Sequence, residues 1–367
     1  MASSTHGKSD RLKKNITSTA ELARHLGLSR WAVSRALNNH AGVSAATADK
    51  VRAAMAKSGF SPSVHARGLR GARTGVIGIC FRELNTPVTI QKIAHVQRLV
   101  RAGGFRPLFE LTQLDQRTAT DVVDHFISMR VEGVLFVDTS MDAECAQWVE
   151  QLATNGIPAS FLEPLGAGDH NAVSLDREAA MAEVTQHLLD LGHSRLALLG
   201  ISRKFPLGKP RIAGVERALR ANSLTVRDTV MVVDQPVRRH LGLLYGRELA
   251  EQILGLAVKP TALIALNDEV AAGAMWHLQR SGFAFPSDFS IFGFDNLMLA
   301  AQTNPALSSV DHNVEKIAAA AVEMLLRLIQ LGPSARLPSV TIAPQLVLRE
   351  SVARYIPKSV ATRRQSP

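Results

Sequence analysis

Residues 18–38 read STAELARHLGLSRWAVSRALN, and this stretch decides how the N-terminal part of the chain folds. Ser18 and Glu21 have the spacing of a capping box, which predicts a helix that starts at this point. Gly27 allows that helix to end in a tight turn, and Ser29 can cap a second helix directly after it. Two helices joined by a turn of about three residues predict a helix-turn-helix unit, whose second helix typically enters the major groove of DNA.

Charge is concentrated in the same part of the chain. Residues 1–73 contain 13 lysines and arginines against 3 acidic residues, whereas the rest of the chain holds 29 of each kind. The whole excess of +10 therefore belongs to the first fifth of the sequence. A basic unit joined to a neutral body is the charge distribution expected of a nucleic-acid-binding protein.

The domain boundaries follow from a third helix, which is predicted to start at Ser44 and to end at Gly59. We therefore predict an all-α DNA-binding domain over residues 17–60. A disordered basic tail is predicted before it, over residues 1–16, and a hinge after it, over residues 61–73.

The early residues of the second predicted helix are candidates for reading bases. Arginines near the start of a helix oppose its macrodipole, so helix stability does not explain Arg30 and Arg35. Arginine that donates two hydrogen bonds to guanine is the commonest specific contact with DNA, and it does explain them. Ser34 belongs to the same set. Trp31 has two interpretations: it packs on the core of the domain, or it lies against sugar and thymine methyl groups.

Residues 16–69 resemble the signature of the lactose-repressor (LacI/GalR-type) family. The match runs through GLS, AVSRALN, VSAAT, VRAAMAKSGF and SPSVHARGL, in register and without gaps. It departs at Ala32, where the family usually has threonine, and at Ser63, where it usually has asparagine. We predict DNA contacts, from the helix pattern and this resemblance, at Ser18, Ser29, Arg30, Trp31, Ser34, Arg35, Asn38, His65, Ala66 and Leu69.

The predicted hinge is too short to hold a helix by itself. Gly68 lowers its helix propensity further, by about 1 kcal/mol relative to alanine. The resemblance implies that the segment folds only on DNA, as a pair of helices in the minor groove of a dimer complex. Leu69 would then wedge between the central base pairs. A plain flexible linker is the alternative.

From Thr74 onward, strand-like and helix-like segments alternate. Short apolar runs such as GVIGICF and TALIAL are typical of buried parallel strands, and amphipathic stretches lie between them. Two such sets predict an α/β body of two doubly wound parallel-sheet subdomains, which resembles the periplasmic-binding-protein-like core of the same family. This effector-binding and dimerisation domain is predicted over residues 74–350, before a flexible tail over 351–367. The two subdomains are predicted at about 74–174 with 311–334, and at about 175–308 with 335–350.

Candidate effector residues follow from chemistry at strand ends and from the resemblance. Ligands of open α/β sheets bind at the carboxyl ends of the strands, where Asn267, Asp268 and Asp295 stand. Arg211 heads a helix, a position that the helix dipole does not favour, so it is a candidate to bind hydroxyls or a carboxylate. Asp176 opens a helix and can equally be its N-cap. The full predicted set is Arg211, Asn267, Asp268, Asp295, Asp176, Arg82 and His240.

The implied effector is a small polar molecule, a sugar or a sugar derivative. Arg82 and His240 lie in loops that lack the aromatic residues of many relatives. An anionic effector, such as a sugar acid or a phosphorylated sugar, is therefore a hypothesis.

Several classes of protein are disfavoured. Cys80 and Cys145 form no CxxC pair, so the sequence predicts neither a disulfide scaffold nor a zinc site. No GxSxG, Walker, GxGxxG or HExxH motif is present, so an enzyme is not predicted and no cofactor or metal is implied. No apolar run reaches the roughly 18 residues of a membrane span. The N-terminus has no secretory h-region, which predicts a cytoplasmic protein without membrane contact.

Together these patterns predict a sequence-specific DNA-binding transcriptional repressor that is controlled by a small molecule. A homodimer on a pseudo-palindromic operator is expected, because each head then meets one half-site of double-stranded DNA. A solute-binding protein for sugar uptake would share the body but lack the basic head. An architectural DNA-binding protein would share the charge but has no use for an effector crevice.

Overall fold

The computed structural model describes residues 16–37, 42–60, 73–82, 84, 86–112, 116–166, 171–234 and 242–357. The chain divides into two compact units, Met1–Thr74 and Gly75–Pro367, which are called the head and the body below.

The head contains helices α1 (Thr19–Leu26), α2 (Arg30–Leu37) and α3 (Ala45–Ser58). Helix α1 starts as the capping box predicts. The backbone N–H of Glu21 donates to the Ser18 hydroxyl at 3.2 Å, and the Glu21 carboxylate accepts the backbone N–H of Thr17 at 2.8 Å. Gly27 ends the helix at φ 65°, in the left-handed region that glycine adopts without strain. The predicted helix-turn-helix layout is confirmed.

A small apolar core holds the three helices of the head together. Leu22 of α1 and Val33 of α2 are fully buried, and Val51 of α3 packs with them. Phe60, which follows α3, is part of the same cluster. A unit this small buries little surface in total when it folds. Burial of these few apolar side chains is therefore the main source of its stability.

The first sheet of the body consists of β1 (Val76–Phe81), β2 (Arg106–Leu111), β3 (Val134–Val137), β4 (Ala159–Leu162), β5 (Ala172–Leu175) and β11 (Val340–Ile342). Its order is β11-β5-β4-β3-β1-β2, and all neighbouring strands are parallel. This sheet and its helices form the first lobe. The helices are α4 (Pro87–Ala102), α5 (Gln116–Ser128), α6 (Ala143–Thr154) and α13 (Val314–Leu331).

The second sheet consists of β6 (Leu196–Leu199), β7 (Val230–Val233), β8 (Ala262–Ala265), β9 (Ser290–Asp295), β10 (Ser308–Asp311) and β12 (Gln345–Val347). Its order is β12-β10-β9-β8-β6-β7, and only the β10–β12 pair is antiparallel. This sheet and its helices form the second lobe. The helices are α7 (Arg177–Asp190), α8 (Gly208–Ala221), α9 (Val226–Thr229), α10 (Leu243–Gly255), α11 (Asp268–Arg280) and α12 (Met298–Gln302).

The apolar runs of the sequence form the inner strands of both sheets. Every residue of β1, β3, β4, β6, β8 and β9 is buried. Parallel strands buried in this way have apolar side chains on both faces, so they read as continuous apolar runs. The predicted α/β body with two parallel sheets is confirmed. Among the described helices, none combines the length and apolar character needed to span a bilayer.

The chain passes between the two sheets after β5, after β10 and after β11. The last passage differs from the prediction, which placed all of residues 335–350 in the second subdomain. Val340 of β11 pairs with Val173 of β5, so this strand completes the edge of the first sheet. Strands β11 and β12 have three residues each. Segments this short show no periodic pattern, so the sequence did not reveal two separate strands that belong to different sheets.

Leu22→Ala is expected to unfold the head while the body stays folded. Truncating a fully buried leucine typically costs about 2–5 kcal/mol, which is comparable with the whole stability of a small unit. Native-state hydrogen exchange should show lost protection in α1, α2 and α3 and unchanged protection in both sheets. Trp31→Ala, which truncates an exposed side chain of the same head, is the matched control. Unchanged protection of the head in Leu22→Ala would contradict the assigned core.

Candidate functional site

Helix α2 presents a basic and aromatic face on the surface of the head. Arg30 is exposed, and Trp31 is 60% exposed, so the structure disfavours packing of Trp31 on the head core. The guanidinium carbon of Arg35 lies 5.0 Å from the centre of the Trp31 ring, within range of a cation–π contact. The Ser29 hydroxyl accepts the backbone N–H of Ala32 at 3.1 Å and so caps the helix.

The other predicted DNA contacts lie in different settings. Ser18 caps α1, and Ser34 is partly buried on α2. Five predicted site residues lie outside the described residues and stay predictions: Asn38, His65, Ala66, Leu69 and, in the body, His240.

The body contains a cavity of about 390 Å³ at the carboxyl ends of both sheets. Asp138 follows β3 in the first lobe, whereas Asn267 follows β8 and Asp295 ends β9 in the second lobe. The cavity is therefore the crevice in which ligands of open α/β sheets bind. Four of the predicted effector residues line it: Arg82, Arg211, Asn267 and Asp295.

Asp176 and Asp268 do not line the cavity. The Asp176 carboxylate accepts the backbone N–H of Ala179 at 2.8 Å, which is the N-cap arrangement that the sequence left open. The Asp268 carboxylate is fully buried and accepts the Ser309 hydroxyl at 2.6 Å and the backbone N–H of Leu297 at 2.7 Å. Burial, together with the nearby charge of Asp295, raises the pKa of Asp268 to about 8.

A buried carboxylate that the sequence did not single out lies behind the crevice. Glu163 follows β4 and is fully buried. Its carboxylate pairs with the guanidinium of Arg177, lies 2.7 Å from Nε2 of His312 and 3.6 Å from Nζ of Lys92, and accepts the backbone N–H of Leu175 at 2.6 Å. Burial alone would raise the pKa of Glu163. The three cations around it hold that pKa well below its ordinary value.

The network continues to the cavity wall in both lobes. Nζ of Lys92 lies 2.7 Å from the Asp138 carboxylate, which also accepts the Thr89 hydroxyl at 2.7 Å. Nδ1 of His312 lies 3.0 Å from the Asp295 carboxylate. Each ring nitrogen of His312 thus lies within hydrogen-bonding distance of a carboxylate. His312 therefore connects an acid of the first lobe to an acid of the second.

The three acids of this network share a backbone conformation. Asp138, Glu163 and Asp295 have φ values of 51°, 57° and 102°. Residues other than glycine rarely adopt this region, and they keep it where the surrounding contacts hold them there. Each of the three acids lies beside a strand end, and the carboxylate of each forms an ion pair there.

Two signals in the sequence could have found the network. Lys92 follows Val88 by four residues and precedes Val96 by four, so it interrupts the apolar stripe of α4 and marks a buried cation. Glu163 stands directly after the apolar run IPASFL, and it fits the same strand-end pattern that identified Asp295.

Arg211 of α8 differs from the cations of this network. It is 4% exposed, and its guanidinium carbon lies 4.3 Å from the centre of the Phe294 ring. Its Nε and Nη1 atoms are buried without a hydrogen-bond partner in the described part of the chain. Burial, followed by the charge of Arg177, lowers the pKa of Arg211 to about 10, so it remains a cation at neutral pH.

The titratable side chains are not arranged as a metal site. Within the described ranges, no group of three or more histidine, cysteine, aspartate or glutamate side chains is placed to hold a metal ion. Cys80 of β1 and Cys145 of α6 are buried, and burial raises the pKa of each thiol to about 12. Both are core residues.

Comparison with known proteins agrees with both units. The family described as bacterial regulatory proteins, lacI family, matches residues 19–63. The family described as a periplasmic binding protein-like domain matches residues 185–352. The HTH-type transcriptional regulator MalR of Streptomyces coelicolor is 29% identical over 92% of this chain and 97% of its own length.

Solved structures extend the agreement to the fold. A transcriptional regulator of LacI family from Sanguibacter keddieii is 31% identical, with a TM-score of 0.62 over 76% of this chain and 99% of that one. The lac repressor dimer bound to operator and the anti-inducer ONPF is 24% identical, with a TM-score of 0.80 over 92% of this chain and 99% of that one.

Asp268→Asn is expected to change how the stability of the body depends on pH. The folded pKa of Asp268 is raised above its unfolded value, so this group stabilises the fold fully below the unfolded pKa and loses that contribution as pH rises toward about 8. Asparagine does not titrate, so the variant's stability deficit should shrink between pH 5 and pH 9, by up to about 1.4 kcal/mol per pH unit. Urea unfolding at a series of pH values measures this difference.

The control for this experiment is Val270→Ala, a substitution of a buried neighbour that does not titrate. Its deficit should be the same at every pH. A deficit of Asp268→Asn that is also independent of pH would show that Asp268 is already ionised in the folded protein.

Proposed function

The chain belongs to the lacI family of bacterial regulatory proteins, and on that premise we propose that it represses transcription under the control of a small polar effector. As a member of this family it is a DNA-binding transcriptional regulator and not an enzyme. The observation that carries the proposal is the combination of an exposed α2 face in the head with a polar crevice in the body. We place its action in the cytoplasm, where a regulator meets DNA.

We propose that α2 reads operator bases. The apolar side of α2 packs in the head core, whereas Arg30 and Trp31 are exposed and available to a partner. Arg35 has the length and planar donors to reach a guanine edge from the same helix. The excess charge of residues 1–73 supports phosphate contacts around these bases.

We propose that the crevice binds the effector, a sugar or a sugar derivative. A cavity of about 390 Å³ lies within the range of small-molecule sites. Arg82 lines it from the first lobe, and Arg211, Asn267 and Asp295 line it from the second. These groups offer both donors and acceptors, which is what a ligand with several hydroxyls requires.

An effector in this position can couple to DNA binding. It contacts both lobes, so it favours whichever arrangement of the lobes gives it more contacts. The change in operator affinity is then limited by the difference between its affinities for the two arrangements. Leu69 in the hinge stays the predicted link to the DNA.

We propose that the body forms a homodimer through α10 and α11. Leu243 and Leu244 of α10 are 52% and 62% exposed, and Trp276 of α11 is 51% exposed beside them. Exposed apolar side chains that adjoin in this way mark a protein interface, and tryptophan is a frequent anchor of such surfaces. The lac repressor, whose fold this chain shares, binds its operator as a dimer.

The purified protein is expected to protect a single pseudo-palindrome in a footprint of its own upstream region. Arg30→Ala should weaken that binding by about 5–150-fold, because one bidentate contact with a base is worth about 1–3 kcal/mol. Arg106→Ala, which removes an exposed arginine from the body, is the matched control and should leave affinity unchanged. Uniform coating of the DNA would favour an architectural protein instead.

Trp276→Glu is expected to break the dimer. A central interface tryptophan contributes about 2 kcal/mol or more, so the dimer dissociation constant should rise by at least about 30-fold. Analytical ultracentrifugation over a concentration series measures it. Val258→Glu places the same charge at another exposed apolar residue, in the loop that follows α10, and should leave the dimer intact. A Trp276→Glu protein that dimerises like the wild type would exclude this surface.

A further inference from the structure

The charged side chains around the crevice fall into two groups. The paired group consists of Lys92 with Asp138, Arg177 with Glu163, and His312 with Asp295. The second group consists of Arg82 and Arg211, for which the described residues provide no acidic partner within ion-pair distance. Among the described residues, the crevice therefore carries more positive than negative charge.

Arg211 is buried, so the lack of an acidic partner has an energetic cost. A buried ion without a counter-ion is strongly unfavourable, and a contact with the face of an aromatic ring such as Phe294 offsets only part of that penalty. Asp295 lines the same cavity, but its carboxylate is hydrogen-bonded to His312 and forms no ion pair with Arg211. Arg211 lines the cavity, so a ligand that enters it can contact this side chain.

The start of α8 adds a second, independent preference for negative charge. Leu207 and Gly208 line the cavity, so the N-terminus of this 14-residue helix faces it. No side chain caps the helix, and its first turn holds no acidic residue. The positive end of a helix that lacks such a cap favours an anion.

Arg82 lies on the opposite side of the crevice, at the end of β1 in the first lobe. We propose that the effector carries an anionic group, a carboxylate or a phosphate, which is bound by Arg211 and the start of α8 in the second lobe and by Arg82 in the first. This inference rests on the proposed function, since it specifies the chemistry of the effector that the crevice binds. An anion held from both lobes stabilises their closed arrangement.

The first test requires no knowledge of the effector. Arg211→Met keeps an apolar chain against Phe294 and removes the uncompensated charge, so it is expected to raise the Tm of the ligand-free protein by about 2–4 °C. Arg177→Met is the matched control. It removes a buried arginine that does have its partner, Glu163, and it should lower the Tm. A lower Tm for Arg211→Met would mean that Arg211 stabilises the fold, and it would overturn the inference.

The second test uses ligands that differ only in charge. Isothermal titration calorimetry compares D-glucose with D-glucuronate and D-glucose 6-phosphate, and D-galactose with D-galacturonate and D-galactose 6-phosphate. The anionic member of a series is expected to bind at least about 10-fold more tightly than its neutral sugar, and the preferred anion distinguishes carboxylate from phosphate. Arg211→Gln should abolish this preference.

A neutral sugar that binds as tightly as its anionic relatives would overturn the inference. If that sugar also changes operator affinity, the proposed function stands and only the chemistry of the effector is wrong. Failure of the wild-type protein to select any operator, measured on the same preparation without ligand, would instead contradict the proposed function.

Discussion

Glu163 holds a full negative charge in a place that water does not reach, and an ion so placed is stable only when cations and donors surround it. Lys92 comes from α4, Arg177 from the start of α7, and His312 from the passage that follows β10. Loss of any one of them would leave an unmatched buried charge. The body therefore depends on a contact that fixes the three segments relative to one another, two of them at passages between the lobes.

The same contact limits how the crevice can respond to an effector. The ring nitrogens of His312 are hydrogen-bonded to Glu163 on the first lobe and to Asp295 on the second, so movement of one lobe against the other changes this pair of hydrogen bonds. Asp295 also lines the cavity. An effector that bonds to Asp295 acts on a group that already connects the two lobes. A local contact with the effector can therefore change how the lobes are arranged.

What the sequence predicts well is local or repeated. The head follows from Ser18, Glu21 and Gly27, whose roles depend only on neighbours within one helical turn. The two sheets follow from apolar runs at regular spacing. The ion network was missed because its bonds join residues far apart in the chain, such as Glu163 and His312, separated by 149 positions. Asp268 and Asp295 both stand at the carboxyl ends of strands, so their positions in the sequence do not distinguish them. Asp295 lines the crevice and Asp268 is buried beneath it because their side chains point in different directions.

Arg177 and Arg211 show how the structure separates two residues that the sequence presents as equals. Both are arginines at helix starts, both are buried, and both reach the crevice. Arg177 bonds to Glu163, so its charge is neutralised whether or not a ligand is present. Arg211 lies over the face of Phe294 and forms no ion pair with a described residue, so a ligand in the cavity can supply the counter-charge that the fold does not. Arg177 stabilises the fold by itself, whereas Arg211 leaves part of the stability of the body to be supplied by a ligand. Under that condition a small molecule can control the conformation of the body.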